Sequence, residues 1–182
     1  MRKLSHIELL QRQADQKRFP LPFSIVLNDI RSLYNVGSIF RTADGIGIAK
    51  IWLCGITGCP PDTQISKTAL GAENTVAWKY QRYAMDALRL EKEQGAEIVL
   101  LEQLAESIPY HEFRPRRPVC LVLGNEITGV SEELLELCDR AVEIPMAGLK
   151  NSLNVTVAFG IVAYHFRNSL AAGMSSEAVQ AS

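Results

Sequence analysis

The run Val119-Cys-Leu-Val-Leu123 constrains the fold more than any other stretch of the chain. Five consecutive apolar residues leave no face to give to water, which fits a strand buried on both sides in the middle of a sheet. The run stops at Gly124, and a helix is expected after Ser131, with Glu132 and Glu133 against its positive end and its last turn at Cys138. The same alternation recurs along the chain. Phe23-Ser-Ile-Val-Leu27 reads as a buried strand ending at Asn28-Asp29, a helix is expected to start near Asn35, and Val36, Ile39, Phe40, Ala43 and Ile46 keep helical spacing. Ile51-Trp-Leu-Cys54 resumes as strand, residues 83–94 predict a helix closed by Gly95, and residues 97–101 predict another strand. Ala141 to Ile144 gives a last strand, ended by Pro145. Strands separated by helices need crossovers, so the expected class is α/β, a mostly parallel sheet flanked by helices.

The remaining segments are expected to be peripheral. Leu4, Ile7, Leu10 and Ala14 place one narrow apolar stripe on a helix over residues 4–19, ended by Pro20 and Pro22. Residues 55–76 are rich in Gly, Pro, Thr and Asn and predict a long functional loop with one helical turn around residues 66–70. Asn151 or Ser152 is expected to open a last helix with a wide apolar surface, and residues 171–182 to fray. With no internal repeat, residues 1–182 read as one domain, with an N-terminal helix in residues 1–20.

A formal net charge of −1 excludes a strongly basic field over the whole protein, so any nucleic-acid contact must be local. Two basic concentrations qualify: Arg2, Lys3, Arg12, Lys17 and Arg18, and then Arg114, Arg116 and Arg117. Cys54, Cys59, Cys120 and Cys138 form no Cys-x-x-Cys pair and have no histidine at zinc-ligand spacing, which points to reduced thiols. No apolar run approaches the roughly 20 residues a membrane helix needs, and the N-terminus has no signal-peptide centre, so the cytoplasm is the expected location. His6, His111 and His165 have no partner at catalytic spacing.

Three loop-to-helix segments follow apolar strands. In the first, Asn35 is placed to cap a helix, and Arg41 lies six residues on, inside an otherwise apolar helix. Arginine is seldom buried without an anionic partner, and a phosphate would satisfy it. The second, Gly124-Asn-Glu-Ile-Thr-Gly-Val-Ser131, is a tight turn beyond the carboxyl end of the most buried strand, where open α/β sheets bind ligands. The third runs from Ile144-Pro-Met146 to Ser152-Leu-Asn154 at a helix start, where free backbone N–H groups and side-chain amides meet polar ligands. The G-x-G-x-x-G fingerprint after the first strand and the P-loop sequence are both absent, which argues against a nucleotide-dependent Rossmann enzyme.

In that order, Asn35-Val-Gly-Ser-Ile-Phe-Arg41, Gly124 to Ser131, and Ile144-Pro-Met146 with Ser152 to Ala158 resemble the motifs of the SpoU/TrmH family of RNA ribose 2′-O-methyltransferases, over residues 23–166. One departure is Ile127-Thr128, a β-branched pair where many relatives carry glycine and a variable residue. The resemblance implies a Rossmann-like sheet with a C-terminal deep trefoil knot, a homodimer and S-adenosylmethionine as cofactor; because attack on a sulfonium methyl neutralises charge, no metal is expected, and the lack of a long apolar run leaves no membrane partner. It implies RNA as substrate, and tRNA is expected slightly ahead of rRNA because the sequence shows no evident separate N-terminal RNA-binding domain; the alternative is an inactive RNA-binding or assembly module of the same fold. Carried over by motif, Leu123, Gly124, Asn125, Glu126, Ile144, Pro145, Met146, Leu153 and Asn154 would surround the cofactor. Arg41 would serve a site near the partner subunit's cofactor, orienting phosphate and hydroxyl, and Asn35 would hold Arg41 or the ribose. Glu126 would orient the arginine or substrate, while Ser152 and Asn154 would order the cofactor and nearby loops.

Overall fold

In chain order the strands are β1 (Leu21–Asn28), β2 (Ile48–Cys54), β3 (Trp78–Gln81), β4 (Glu97–Leu101), β5 (Ile108–Pro109), β6 (Val119–Leu123) and β7 (Arg140–Glu143). The helices are α1 (His6–Ala14), α2 (Leu33–Ile46), α3 (Thr63–Ala69), α4 (Ala84–Glu93), α5 (Glu132–Leu135) and α6 (Val155–Gln180). These come from a computed structural model that describes residues 1–14, 20–115 and 118–180, with side chains left undescribed at 13–14 and 173–180. The seven strands form one sheet in the order β3-β2-β1-β6-β4-β7-β5, with every neighbouring pair parallel. β6 lies between β1 and β4 with all five residues buried, the position its unbroken apolar run predicts.

Alternating residues feed two cores. Ile25, Leu27, Ile51, Leu53 and Leu121 face α2, α3 and α6, whereas Val26, Trp52, Ile98, Leu100, Cys120 and Val122 face α4 and α5. Phe166 of α6 sits 5.8 Å from Phe23 of β1 and 5.3 Å from Phe113, centroid to centroid, which holds the last helix on the first strand. His165 is structural: its Nε2 lies 2.7 Å from the Phe113 carbonyl oxygen. On the other face, the buried Glu91 carboxylate accepts 2.6 Å bonds from Ser24 Oγ and Trp52 Nε1 and lies 3.6 Å from Lys50 Nζ, so its charge is not left alone in the core.

Several expectations need correction. Residues 55–76 hold the helical turn expected around residues 66–70 but more structure besides: Asp62 Oδ1 accepts from the N–H groups of Gln64 and Ile65 and starts α3 earlier, and a 3-10 turn follows at Ala72–Asn74. This segment packs closely on α2, where a Cβ on Gly37 would fall 2.2 Å from the Ile65 carbonyl oxygen and one on Gly58 would fall 2.1 Å from Leu33 Cδ2. Ser32 rather than Asn35 caps α2, its Oγ accepting from the Asn35 N–H at 3.2 Å. α5 ends at Leu135, short of Cys138, and Ser131 makes no side-chain cap bond. α6 begins at Val155, later than Asn151 or Ser152, and runs to Gln180; residues 181–182 of the expected tail lie outside the described residues. Pro22 lies inside β1, at an irregular step in the register with β2. The apolar stripe of α1 is exposed at Ile7 and Leu10, and residues 15–19 of the expected helix lie outside the described residues, as do Arg116 and Arg117.

All four cysteines are free. Burial pushes the Cys54 thiol up to about 12 and the Cys138 thiol up to about 11, and raises Cys120 as well. A raised thiol pKa means little thiolate below it, so Ellman's reagent at pH 8 is expected to spare Cys54 and Cys120 until denaturant is added. Rapid titration of every thiol in the native protein would contradict this packing.

Candidate active site

The three motif segments meet at the carboxyl edge of the sheet. β1 ends at Asn28, and Asp29 turns the chain through a left-handed conformation, φ 58°, toward α2. The turn after β6 is fastened to that bend: Asn125 Nδ2 donates to the Asp29 carbonyl at 2.8 Å. Asn125 Oδ1 accepts from the Ile127 and Thr128 N–H groups at 2.9 and 3.0 Å, and the backbones of Asn125 and Gly129 exchange both bonds at 3.0 Å. Asn125 thus uses its side chain on the turn itself. The turn accepts the β-branched pair because both N–H groups are bonded inward while the Ile127 side chain is 76% exposed. Gly124 is required by a close approach, since its Cβ would fall 2.7 Å from the Gly129 carbonyl carbon.

Glu126, from the same turn, reaches the start of α2. Its Oε1 accepts from Asn35 Nδ2 at 3.0 Å and its Oε2 from the Arg31 N–H at 3.3 Å. Asn35 Oδ1 in turn accepts from Asn154 Nδ2 at 3.4 Å, and Asn154 Oδ1 accepts from the Thr156 N–H and hydroxyl at 2.9 and 2.6 Å, which caps α6. Because Ser32 takes the capping duty at α2, the Asn35 amide is free to join the second and third motifs in one polar chain.

Arg41 does not belong to that chain. Six residues carry it about 240° around the helix from Asn35, away from the buried face formed by Val36, Ile39, Phe40 and Ala43. It is exposed and forms no hydrogen bond or ion pair with the described residues. The expected burial against an anion is therefore corrected: the helix is apolar on one face only, and Arg41 stands on the other. Neither Asn35 nor Glu126 bonds it.

Beside the polar chain lies a cleft of about 390 Å³, within the range of small-molecule sites. Of the expected cofactor residues, Leu123, Gly124, Asn125, Glu126, Ile144, Met146 and Leu153 line it, together with Ser152. Pro145 lines a neighbouring cavity of about 350 Å³ instead, and Asn154 is turned to Asn35. Leu101, Glu102 and Gln103 also line the cleft, and no sequence motif marks them. They lie at the end of β4, which only the sheet order reveals to be next to β6. Gln103 Nε2 donates to the Asn151 carbonyl at 2.8 Å and ties that end to the loop before α6. Among the described residues the lining carries the carboxylates Glu102, Glu126 and Glu143 and no lysine or arginine. Such a cleft favours a cationic ligand with hydroxyl and N–H donors over a phosphate.

The profile of the SpoU rRNA Methylase family matches residues 22–164. The chain is 30% identical to a tRNA (guanosine(18)-2′-O)-methyltransferase of Escherichia coli K12 over 159 residues, 86% of this chain and 64% of that one. It is 30% identical to the enzyme of the same description from Thermus thermophilus, over 83% of this chain and 77% of the relative. A 23S rRNA (guanosine-2′-O-)-methyltransferase of Neisseria meningitidis serogroup B is 33% identical over 78% of this chain and 56% of its own. This chain thus spans somewhat less than two thirds of the E. coli relative, at 64%. Among solved structures, an Aquifex aeolicus TrmH/SpoU tRNA modifying enzyme superposes with TM-score 0.77 at 26% identity, covering 88% of this chain and 84% of that one. An AdoMet-bound rRNA methyltransferase from Sinorhizobium meliloti gives 0.75 at 29% identity, over 85% and 62%. The ordered motifs, their convergence at one sheet edge and a profile match across residues 22–164 make this chain a member of the SpoU rRNA Methylase family.

Proposed function

We propose that the protein transfers a methyl group from S-adenosylmethionine to a ribose 2′-hydroxyl of RNA, with tRNA favoured over rRNA. The observation that carries the reading is the composition of the cleft: apolar walls from Leu101, Leu123, Ile144 and Leu153, with three carboxylates and no basic residue among the described residues. An adenosyl sulfonium with an amino-acid tail suits this lining, because its ring meets apolar walls while its diol, ammonium and sulfonium meet acceptors. A phosphate-bearing dinucleotide would meet like charge instead.

When bound, S-adenosylmethionine supplies a methyl group activated by a neutral sulfide leaving group. The protein's task is to hold the hydroxyl in line, assist loss of its proton and exclude water. Glu126, Asn35 and Asn154 hold the turn after β6, the start of α2 and the start of α6 in one arrangement, so they act as positioning residues. Ser152 lines the cleft beside Leu153. Arg41 binds a phosphate and orients the hydroxyl; a guanidinium with a pKa above about 12 is a poor base. Since Arg41 points away from its own subunit's polar chain, we assign it to the cleft of a second copy. The exposed surfaces of α2 and α6, with Tyr34, Val157 and Tyr164 about half exposed, are what a homodimer would cover. A C-terminal trefoil knot, a single domain over the whole chain and a cytoplasmic location complete the reading. Among the described residues no helix is long and apolar enough to cross a membrane.

Incubation with labelled S-adenosylmethionine and unmodified bulk tRNA or rRNA tests the reading. Label is expected in RNA, more in tRNA. Cofactor binding by calorimetry with no label in either RNA would favour the inactive binding module.

A further inference from the structure

A second cavity, of about 520 Å³, lies across the β6–α5 turn from the cleft, and both touch Gly129. Its walls include Asp29, Arg82, Tyr83, Met85, Ser131 and Glu133. Asn125 is the partition: it lines the first cavity, while its amide bonds the carbonyl of Asp29, which lines the second. The two cavities therefore open on the same edge of the sheet, one on each side of a single turn.

The second differs from the first in chemistry. Tyr83 is 55% exposed, and the Arg82 guanidinium carbon lies 5.4 Å from its ring centroid. A neighbouring half-exposed ring, Tyr80, is fixed by its hydroxyl bond to the Gly55 carbonyl at 3.1 Å. Exposed rings beside a guanidinium form a platform on which an unpaired base stacks. Glu133 stands exposed on the wall without a hydrogen bond among the described residues. Its carboxylate repels a phosphate but accepts N–H groups from a base edge. The interior thus suits a base, while Arg82 and the exposed Lys79 on the edge strand β3 suit the backbone phosphates outside.

Resting on the methyltransferase reading, we infer that this cavity holds the base of a nucleotide flanking the methylated ribose, stacked on Tyr83, with a base that offers N–H donors preferred. The turn between the cavities would then part the target nucleotide from its neighbour. None of the three motifs contributes the stacking ring; Tyr83 is a specificity-determining residue supplied by the link between β3 and α4.

The test compares wild type, Tyr83→Ala and Tyr83→Phe. It measures steady-state methylation of bulk tRNA and rRNA, anisotropy binding of fluorescein-labelled tRNA, and calorimetric binding of S-adenosylmethionine. Because the ring is exposed, all three proteins are expected to melt together by circular dichroism. Tyr83→Ala is expected to raise the KM for RNA at least about fivefold, with kcat within about twofold and cofactor affinity unchanged, and Tyr83→Phe to restore the wild-type KM. An unchanged KM and tRNA affinity in Tyr83→Ala, or a phenylalanine as defective as alanine, would overturn the inference while leaving the enzyme reading intact. A wild type that binds tRNA through Tyr83 yet methylates no RNA would instead sink the enzyme reading and leave the stacking platform standing.

Discussion

Arg41→Ala is expected to lower methyl transfer to RNA by at least about a hundredfold, while S-adenosylmethionine binds with wild-type affinity. The expected size follows from what Arg41 lacks within its own chain. An exposed guanidinium with no described partner stabilises nothing in the fold, so its removal costs little stability and leaves the cleft, to which it contributes no atom, unchanged. What it removes is the group that would fix a substrate phosphate and bring the hydroxyl into line. Arg41→Lys keeps the charge but loses the planar fork, and is expected to recover only a small part of the rate. Turnover unchanged in Arg41→Ala would take Arg41 out of the reaction. Restored turnover on mixing Arg41→Ala with a cleft-defective variant would show that one subunit's arginine serves the other's cleft.

Gly124→Ala is expected to weaken S-adenosylmethionine binding at least about tenfold and to lower the thermal midpoint by several degrees. The added Cβ would lie 2.7 and 2.8 Å from the carbonyl carbon and oxygen of Gly129 and 2.8 Å from Val130 Cγ1. Two of those atoms are backbone and cannot swing aside, so the turn must open, taking with it the Asn125–Gly129 bonds and the position of Glu126. Gly148→Ala is the control, since its Cβ would meet nothing within 4 Å and it borders the neighbouring cavity. Calorimetry and a thermal melt read both variants. Equal behaviour of the two would mean that the tight turn does not shape the cleft.

The parts of this fold legible in the sequence are those set by local pattern. The unbroken apolar run of β6, the apolar face of α2 and the helix closed by Gly95 follow from periodicity and capping, and the structure places them within a few residues of expectation. Asn35, Glu126 and Asn154, which meet in space, stand in segments that each follow a strand, so convergence at one sheet edge could be anticipated from parallel topology. Sheet order was not legible, because it depends on pairing across distant segments. That is why Glu102 and Gln103 went unmarked although they wall the cleft beside Glu126. Composition understated the order at residues 55–76, where the one expected turn is a helix begun earlier by a capping aspartate, Asp62. It misled at Asn35, because Ser32 is as good a cap and lies one turn earlier. Short edge strands such as β3 and β5 carry charged or proline residues suited to a sheet edge and give no apolar run to read.

Methyl transfer to a ribose hydroxyl is tested most directly by digesting RNA to nucleosides after reaction with the purified protein and S-adenosylmethionine, followed by liquid chromatography and mass spectrometry. The expected product is a nucleoside carrying the added methyl on its ribose, formed by wild type and lost in Arg41→Ala. A methyl found on the base, with no 2′-O-methyl nucleoside, would contradict the account.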